Sequence, residues 1–427
     1  MKTKIFNGTG KYKTLSHTII FFIMLFAWIS FFPEPVQVKY GVYTKIFLGI
    51  FLFILILDKR IGKYLFSFRD WPLWLFVLSM SAGIICATDK NVAFKTYTYL
   101  AITLVTFFYI GKGLFIHQQD SDKVSLIICI CSGLVALFGI LEVIYACNPI
   151  YLYFIPNTFY ERYIQHPVRP MSTQLNPAVL ATYLLLTLPF VIHMVKQKRL
   201  VIKFLGYVFI VLDITCLILT FSRSSFLGLI FMLFSLQFIL KKYEKLRIYV
   251  LFFLILLIAA SFLPYPFNRF SLKGIGIFGT GIFSDYRLIR MQMSWEMLKH
   301  SHSLGVGLNH FRILFDQYYP IKAGLSYLPY EIKIADNMYL TLLAETGIIG
   351  LAGFLIFIVS LFKRGITFFY NSKDINSKQT VLIPVLALIG LMVSMGGYEL
   401  FYWSNPFMFF CLICGFIAAK DNIRDNG

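Results

Sequence analysis

Charge is what this sequence has least of: of 427 residues only 14% are Asp, Glu, Lys or Arg, against 58% hydrophobic. A chain of that make-up cannot solvate itself as an ordinary water-soluble globule, so its natural solvent is lipid. Polar sequence is also short. No polar stretch exceeds the segment from about 265 to 335, and no separate soluble domain is expected. Cysteine is sparse and scattered, with seven residues at 86, 129, 131, 147, 216, 411 and 414 and no matching His at ligand spacing. That excludes the usual Cys/His metal sites and leaves no cofactor to expect. Cys411 and Cys414 form a CxxC, but inside an unbroken apolar run they read as small hydrophobes along one helix face. A cleavage site is missing too: the first apolar run, Ile19 to Phe32, ends in Phe31-Phe32-Pro33-Glu34-Pro35 and reads as an uncleaved helix rather than a signal peptide. Internal repeats and low-complexity tracts are absent.

What the chain has is apolar runs. Those long enough, or nearly so, for a spanning helix are centred near residues 25, 49, 79, 103, 135, 186, 211, 231, 256, 349, 388 and 412. The expected fold is an all-α polytopic membrane protein of about 12 transmembrane helices, with 1–427 as a single integral membrane domain. Aromatic residues, 18% with 46 Phe and 26 Tyr, suit helices with lipid-facing shafts and interfacial ends. The formal charge of +19 is not a nucleic-acid signature, because Lys and Arg fall in short clusters between apolar runs. Those clusters are Lys2 to Lys13, Lys59 to Arg69, Lys196 to Lys203, Lys241 to Arg247 and Lys363-Arg364. All land on one side if the twelve-run count holds, which puts both termini in the cytoplasm by the positive-inside rule. The opposite side then carries two long loops, 147–176 and 265–335, the second between the ninth and tenth runs. Within it Tyr286 to His300 reads as an amphipathic helix on the outer face, with Leu288, Met291, Trp295 and Leu298 opposite Arg287, Arg290 and Ser294.

The candidate chemistry gathers on that outer side. Thr220-Phe221-Ser222-Arg223-Ser224-Ser225 opens the eighth helix, where Ser222 can cap free amides and Arg223 adds a guanidinium, the ingredients of a phosphate site. The plainer reading of Arg223 is a cation snorkelling to the interface. Arg287 and Arg290 lie three residues apart on one helix face and read either as a solvated face or as further anion ligands. Asp336 stands at the lip of the next helix, as an N-cap or as a general base toward a sugar hydroxyl. Glu345 falls near mid-membrane, where a carboxylate faces the bundle interior. With Asp213 and Glu142 it reads first as an interhelical hydrogen-bonding or ion-pairing group.

Taken together, Ser222-Arg223-Ser224, Arg287 followed by Gly305-Val306-Gly307-Leu308 and Phe311, and Asp336-Asn337-Met338-Tyr339-Leu340 through Glu345-Thr346-Gly347 resemble the O-antigen ligase and polymerase family, the Wzy/WaaL-like membrane proteins. Asn176-Pro177 with Leu180-Ala181 is similar to a further family segment, and the likeness covers about residues 169–360. The resemblance implies a GT-C-like, metal-independent inverting glycosyltransferase at the outer face of the cytoplasmic membrane. Its donor would be an undecaprenyl diphosphate-linked glycan and its acceptor a glycan or glycolipid. Arg223 and Arg287 would hold the diphosphate with help from Arg290, Asp336 would be the base, and Ser222, Asn337 and Glu345 would contact substrate. Ligases usually carry His where this chain has Asp336, which favours a surface polysaccharide polymerase over a ligase acting on lipid A core. A glycan transporter or flippase is the reading from another class. Against it stand the short Lys196-Gln197-Lys198-Arg199 link at mid-chain and the lack of related halves.

Overall fold

The computed structural model describes residues 23–32, 49, 67–115, 118–150, 169–239, 282–318 and 333–419, and among these there are helices and no strand. A helical segment at 23–31 is followed by α1 (Trp71–Met80), α2 (Ala82–Ile85), α3 (Lys90–Phe115), α4 (Gln118–Tyr145), α5 (Pro177–Met194), α6 (Leu200–Leu219) and α7 (Arg223–Ile239). Then come α8 (Ile282–His300), α9 (His310–Tyr318), α10 (Met338–Asn371), α11 (Ile375–Ser394) and α12 (Ser404–Ala419). Among the described residues six helices are long and apolar enough to cross a membrane: α3, α4 from Asp122, α5, α6, α10, and α11 with the turn after it. The chain is a multi-pass helical membrane protein.

Several expected runs differ from this outcome. The run near 79 folds as two short helices broken at Ser81, whose hydroxyl bonds back to the Leu78 carbonyl. Those near 49 and 256 lie outside the described residues, Gly49 excepted, as do 265–281 and 319–332 of the long loop. That segment contains α8, which takes in the expected helix Tyr286 to His300, and also the nine-residue α9, where the pattern predicts no helix.

A short apolar helix, α12, is wholly enclosed. Every residue of α12 is buried, so its uniform hydrophobicity serves a bundle core rather than a lipid face. Glycines let it approach α3 closely. A Cβ at Gly415 would strike the Phe108 carbonyl, and one at Gly111 would strike that of Leu412. Phe115 and Phe416 stack at 4.0 Å between their ring centres. Cys411 and Cys414 are both buried there as free thiols.

Polar contacts sort the described residues onto two ends. At one end Lys112 meets Asp70 at 2.6 Å and Arg364 reaches the same carboxylate at 3.2 Å, while Asp122 bonds His193 at 3.0 Å. The link from α5 to α6, with Lys196, Lys198 and Arg199, lies at this end. At the other end Glu142 accepts the amides of Met171 and Ser172, Arg169 donates to the Thr220 carbonyl, and Asp89 meets His310. Between the two ends Asp213 accepts from Ser132 at 2.8 Å, joining α6 to α4 with Thr187 of α5 alongside.

Candidate functional site

The site is organised by a break in α10. Gly347 sits at φ 67° and ψ −167°, outside helical space, so the helix loses its regular amide pattern there. The carbonyls of Ala344 and Glu345 accept instead from the amides of Val306 and Gly307, both at 2.9 Å, and the Ile348 amide turns to the Ser303 carbonyl at 3.1 Å. A side chain at Gly347 would run into Ser303 and Leu304, and one at Gly305 would run into Glu345 and Gly347 itself. Gly305 and Gly307 also have positive φ. The two glycine motifs of the sequence are therefore the two halves of one backbone junction, in which the segment after α8 is stitched into α10.

Glu345, just before the break, is 1% exposed. One carboxylate oxygen accepts the Phe311 amide at 3.1 Å and the other accepts the Tyr402 hydroxyl. The carboxylate thus ties α9 and the turn before α12 to α10.

Asp336 is not the helix cap. Asn337 is: its side-chain oxygen accepts from the Tyr339 and Leu340 amides at 3.0 and 3.1 Å, and its amide nitrogen donates to the Gly396 carbonyl. Asp336 precedes the cap in the left-handed region at φ 53°, which turns its carboxylate away from the helix. There it pairs with Arg290 of α8, the Arg side chain 12% exposed and the Asp side chain 38%. Sequence had offered cap and base as alternatives at one residue, and the fold gives the cap to the neighbour.

That pairing also sets the faces of α8. Its polar stripe faces the protein: Ser294 is buried beside Arg290, and Met293 and Met297 join a small core with Val306, Phe311, Phe315 and Ala344. Met291 and Trp295 face outward, more than half exposed, while Leu298 of the same expected apolar stripe is buried. Asp336 supplies the counter-charge that lets the guanidinium turn inward. Arg287 lies on the same helix, three residues before Arg290.

Arg223 begins α7, half-buried. The chain reverses at Phe221 with φ 50°, and the Ser222 carbonyl accepts the first helical amide, from Phe226. Ser222 thus stands at the cap position, but its hydroxyl donates to Ser225 at 3.2 Å, and the residue is buried. Ser225 in turn meets Ser394, and Ser224 lies against Gly397. The turn Met395–Gly397 therefore touches the start of α7 on one side and Asn337 on the other, which brings Arg223 and Asp336 to opposite flanks of one turn.

Four residues here escaped sequence reasoning. Glu399, buried, accepts the Ala335 amide at 2.8 Å and the Thr341 hydroxyl at 2.7 Å, and faces Arg312 at 3.7 Å. Arg312 also lies over the Tyr402 ring. Burial pushes the Glu399 carboxyl above its ordinary range, against the pull of Thr341, Arg312 and the Ala335 amide. Burial and the Glu345 charge raise the Tyr402 phenol. Arg169 bonds the Thr220 carbonyl at 2.7 Å, three residues from Arg223 in sequence. An isolated Glu after Gly-Gly-Tyr, or an Arg inside an unpatterned loop, carries no periodicity to flag it. Among the described residues no cluster of three His, Cys, Asp or Glu side chains is arranged to hold a metal ion.

Residues 208–355 match the family model described as O-antigen ligase. That span runs from within α6 to just past the Gly347 break and takes in Arg223, Arg287, Arg290, Asp336 and Glu345. No curated protein matches the chain.

Proposed function

We propose, from the match of residues 208–355 to the family model described as O-antigen ligase, that the chain is a membrane glycosyltransferase that polymerises a surface polysaccharide from an undecaprenyl diphosphate-linked donor. The observation that carries this reading is the Arg290–Asp336 pair, a cation and a carboxylate set together at the lip of α10 across one turn from Arg223. Arg223, Arg287 and Arg290 take the diphosphate oxygens, offsetting the charge that grows on the leaving group. When the donor recruits Arg290, the Asp336 carboxylate is released for its second task. It accepts the proton of the acceptor hydroxyl as that oxygen bonds to the anomeric carbon. The carbon–oxygen bond to the diphosphate breaks, the electron pair leaves with the diphosphate, and the configuration inverts. Asn337, Glu345, Glu399 and Ser222 position this machinery through the cap, the α10 break, the Ala335 amide and the start of α7.

Asp336, at a position where ligases usually carry His, favours polymerase over ligase. The test is turnover by purified protein in detergent, without any gradient. A ladder of longer glycans grown from undecaprenyl diphosphate-linked oligosaccharide is the expected result. Transfer to lipid A core alone would make the protein a ligase. Unchanged glycan length, with movement only across sealed vesicles, would make it a transporter.

A further inference from the structure

A cavity of about 240 Å³ lies between α5, α7 and α11, away from the site just described. Its lining comes from the last turns of α5, the later part of α7 and the first half of α11. Arg223 begins α7 and the turn touching Asn337 follows α11, so the cavity belongs to the opposite end of the bundle. Each of the two longer walls carries a proline. Pro189 inside α5 lines the cavity, and Pro384 inside α11 adjoins it; each removes a helix amide and cannot pack as an unbroken turn does. The walls grade from polar to apolar. His193, Lys196 and Gln379 stand toward the helix ends, whereas Met232, Leu233 and Leu386 line the deeper part.

The polar mouth carries one uncommitted charge. His193 is engaged with Asp122 at 3.0 Å. Asp374, at the start of α11, spends its carboxylate on the Asn376 and Ser377 amides. Among the described residues no acid pairs with Lys196, and desolvation lowers its pKa, the mark of a cation held in partly apolar surroundings. Lys198, Arg199 and Lys203 follow, with no acidic residue from 194 to 212, so the field at the mouth is positive.

An apolar slot with a cation at its rim matches one kind of molecule in this solvent. We infer that the cavity is a lipid site that takes one acyl chain of an anionic phospholipid, with the phosphate on Lys196. The ligand is set by charge at the rim and by chain in the slot, and it is independent of the donor bound at the other end.

The test uses the full-length protein in detergent, exchanged against a mixture of phosphatidylglycerol and phosphatidylcholine, with retained lipid read by native mass spectrometry. Wild type should keep phosphatidylglycerol preferentially. Lys196→Glu should lower that retention about tenfold and Lys198→Glu should not, because only the first charge lies on the cavity. Leu386→Trp, which fills the slot and leaves every charge in place, should lower it as well. Phosphatidylglycerol with a photoreactive acyl chain, added to wild type, should crosslink to peptides holding residues 189–196 and 232–236, a readout that needs no variant to fold. Equal losses in the two Lys variants, or crosslinks spread evenly over the bundle, would overturn the proposal. So would displacement of the lipid by uncharged undecaprenol better than by phosphatidylglycerol, which would make the slot a polyprenyl site.

Discussion

Arg290 and Asp336 are 46 residues apart in sequence and joined by an ion pair, the guanidinium of α8 reaching the residue just before the cap of α10. The pair divides two roles that helix starts commonly merge, because Asn337 satisfies the free amides and leaves Asp336 to face Arg290.

The first prediction tests that division. Asn tolerates left-handed backbone as Asp does, so Asp336→Asn should leave folding intact. Turnover should nevertheless fall about 10²-fold or more, the usual size of a general-base effect, with donor KM changing little. Wild-type turnover in this variant would reduce Asp336 to a partner for Arg290.

Guanidinium geometry gives a second expectation. If Arg223 and Arg287 grip the diphosphate with a planar fork, Lys substitution at either position should damage activity nearly as much as Ala, since an ammonium keeps charge but loses the two-point contact. Steady-state rates with each Lys variant provide the check; full activity in one of them would mark that residue as a surface cation.

The break in α10 yields a stability prediction. Gly347→Ala should lower the unfolding temperature in detergent, because the residue has φ 67° and its new Cβ would meet the Ser303 carbonyl. A cost of about 1–3 kcal/mol is expected from the backbone strain. Gly396→Ala, where a Cβ has nothing within 4 Å, should be silent. Equal melting of the two variants would mean that the junction with Gly305 contributes no rigidity.

Glu399 supplies a pH dependence. Burial raises its pKa in the folded protein, so the folded state holds this proton more tightly than the unfolded state does. Stability from this group is therefore complete below the unfolded carboxyl value and is lost as pH rises toward the folded value. Glu399→Gln keeps an oxygen for the Ala335 amide and the Thr341 hydroxyl and removes the titration. Its melting temperature should gain on wild type as pH goes from about 5 to 8, the range above the ordinary carboxyl pKa. A gap that stays constant across that range would show that Arg312 compensates the charge.

Orientation is testable directly. In a background with the accessible Cys86 and Cys147 replaced by Ser, Leu325→Cys should react with an impermeant thiol reagent on cells or spheroplasts, and Asn371→Cys should not. The opposite labelling would put the candidate site on the cytoplasmic face.

The sequence by itself determined the solvent and the all-helical class. Long apolar runs bounded by basic clusters can only become membrane helices, because backbone amides in lipid must be satisfied within the segment. The start of a helix beside Arg223 was legible because helix ends are local, whereas the cap of α10, expected at Asp336, falls on Asn337. Only the tertiary structure decided what each motif is for. The Glu345-Thr346-Gly347 and Gly305-Val306-Gly307 motifs join in one backbone junction, and α8 turns its polar stripe inward to meet Asp336. Glu399, Arg312 and Arg169 join the site although nothing in their own surroundings announces them. The reason is range. Capping and hydropathy act over a turn or a span and are written in consecutive residues, whereas a buried charge chooses its counter-charge across the fold, where desolvation makes leaving it unpaired too costly.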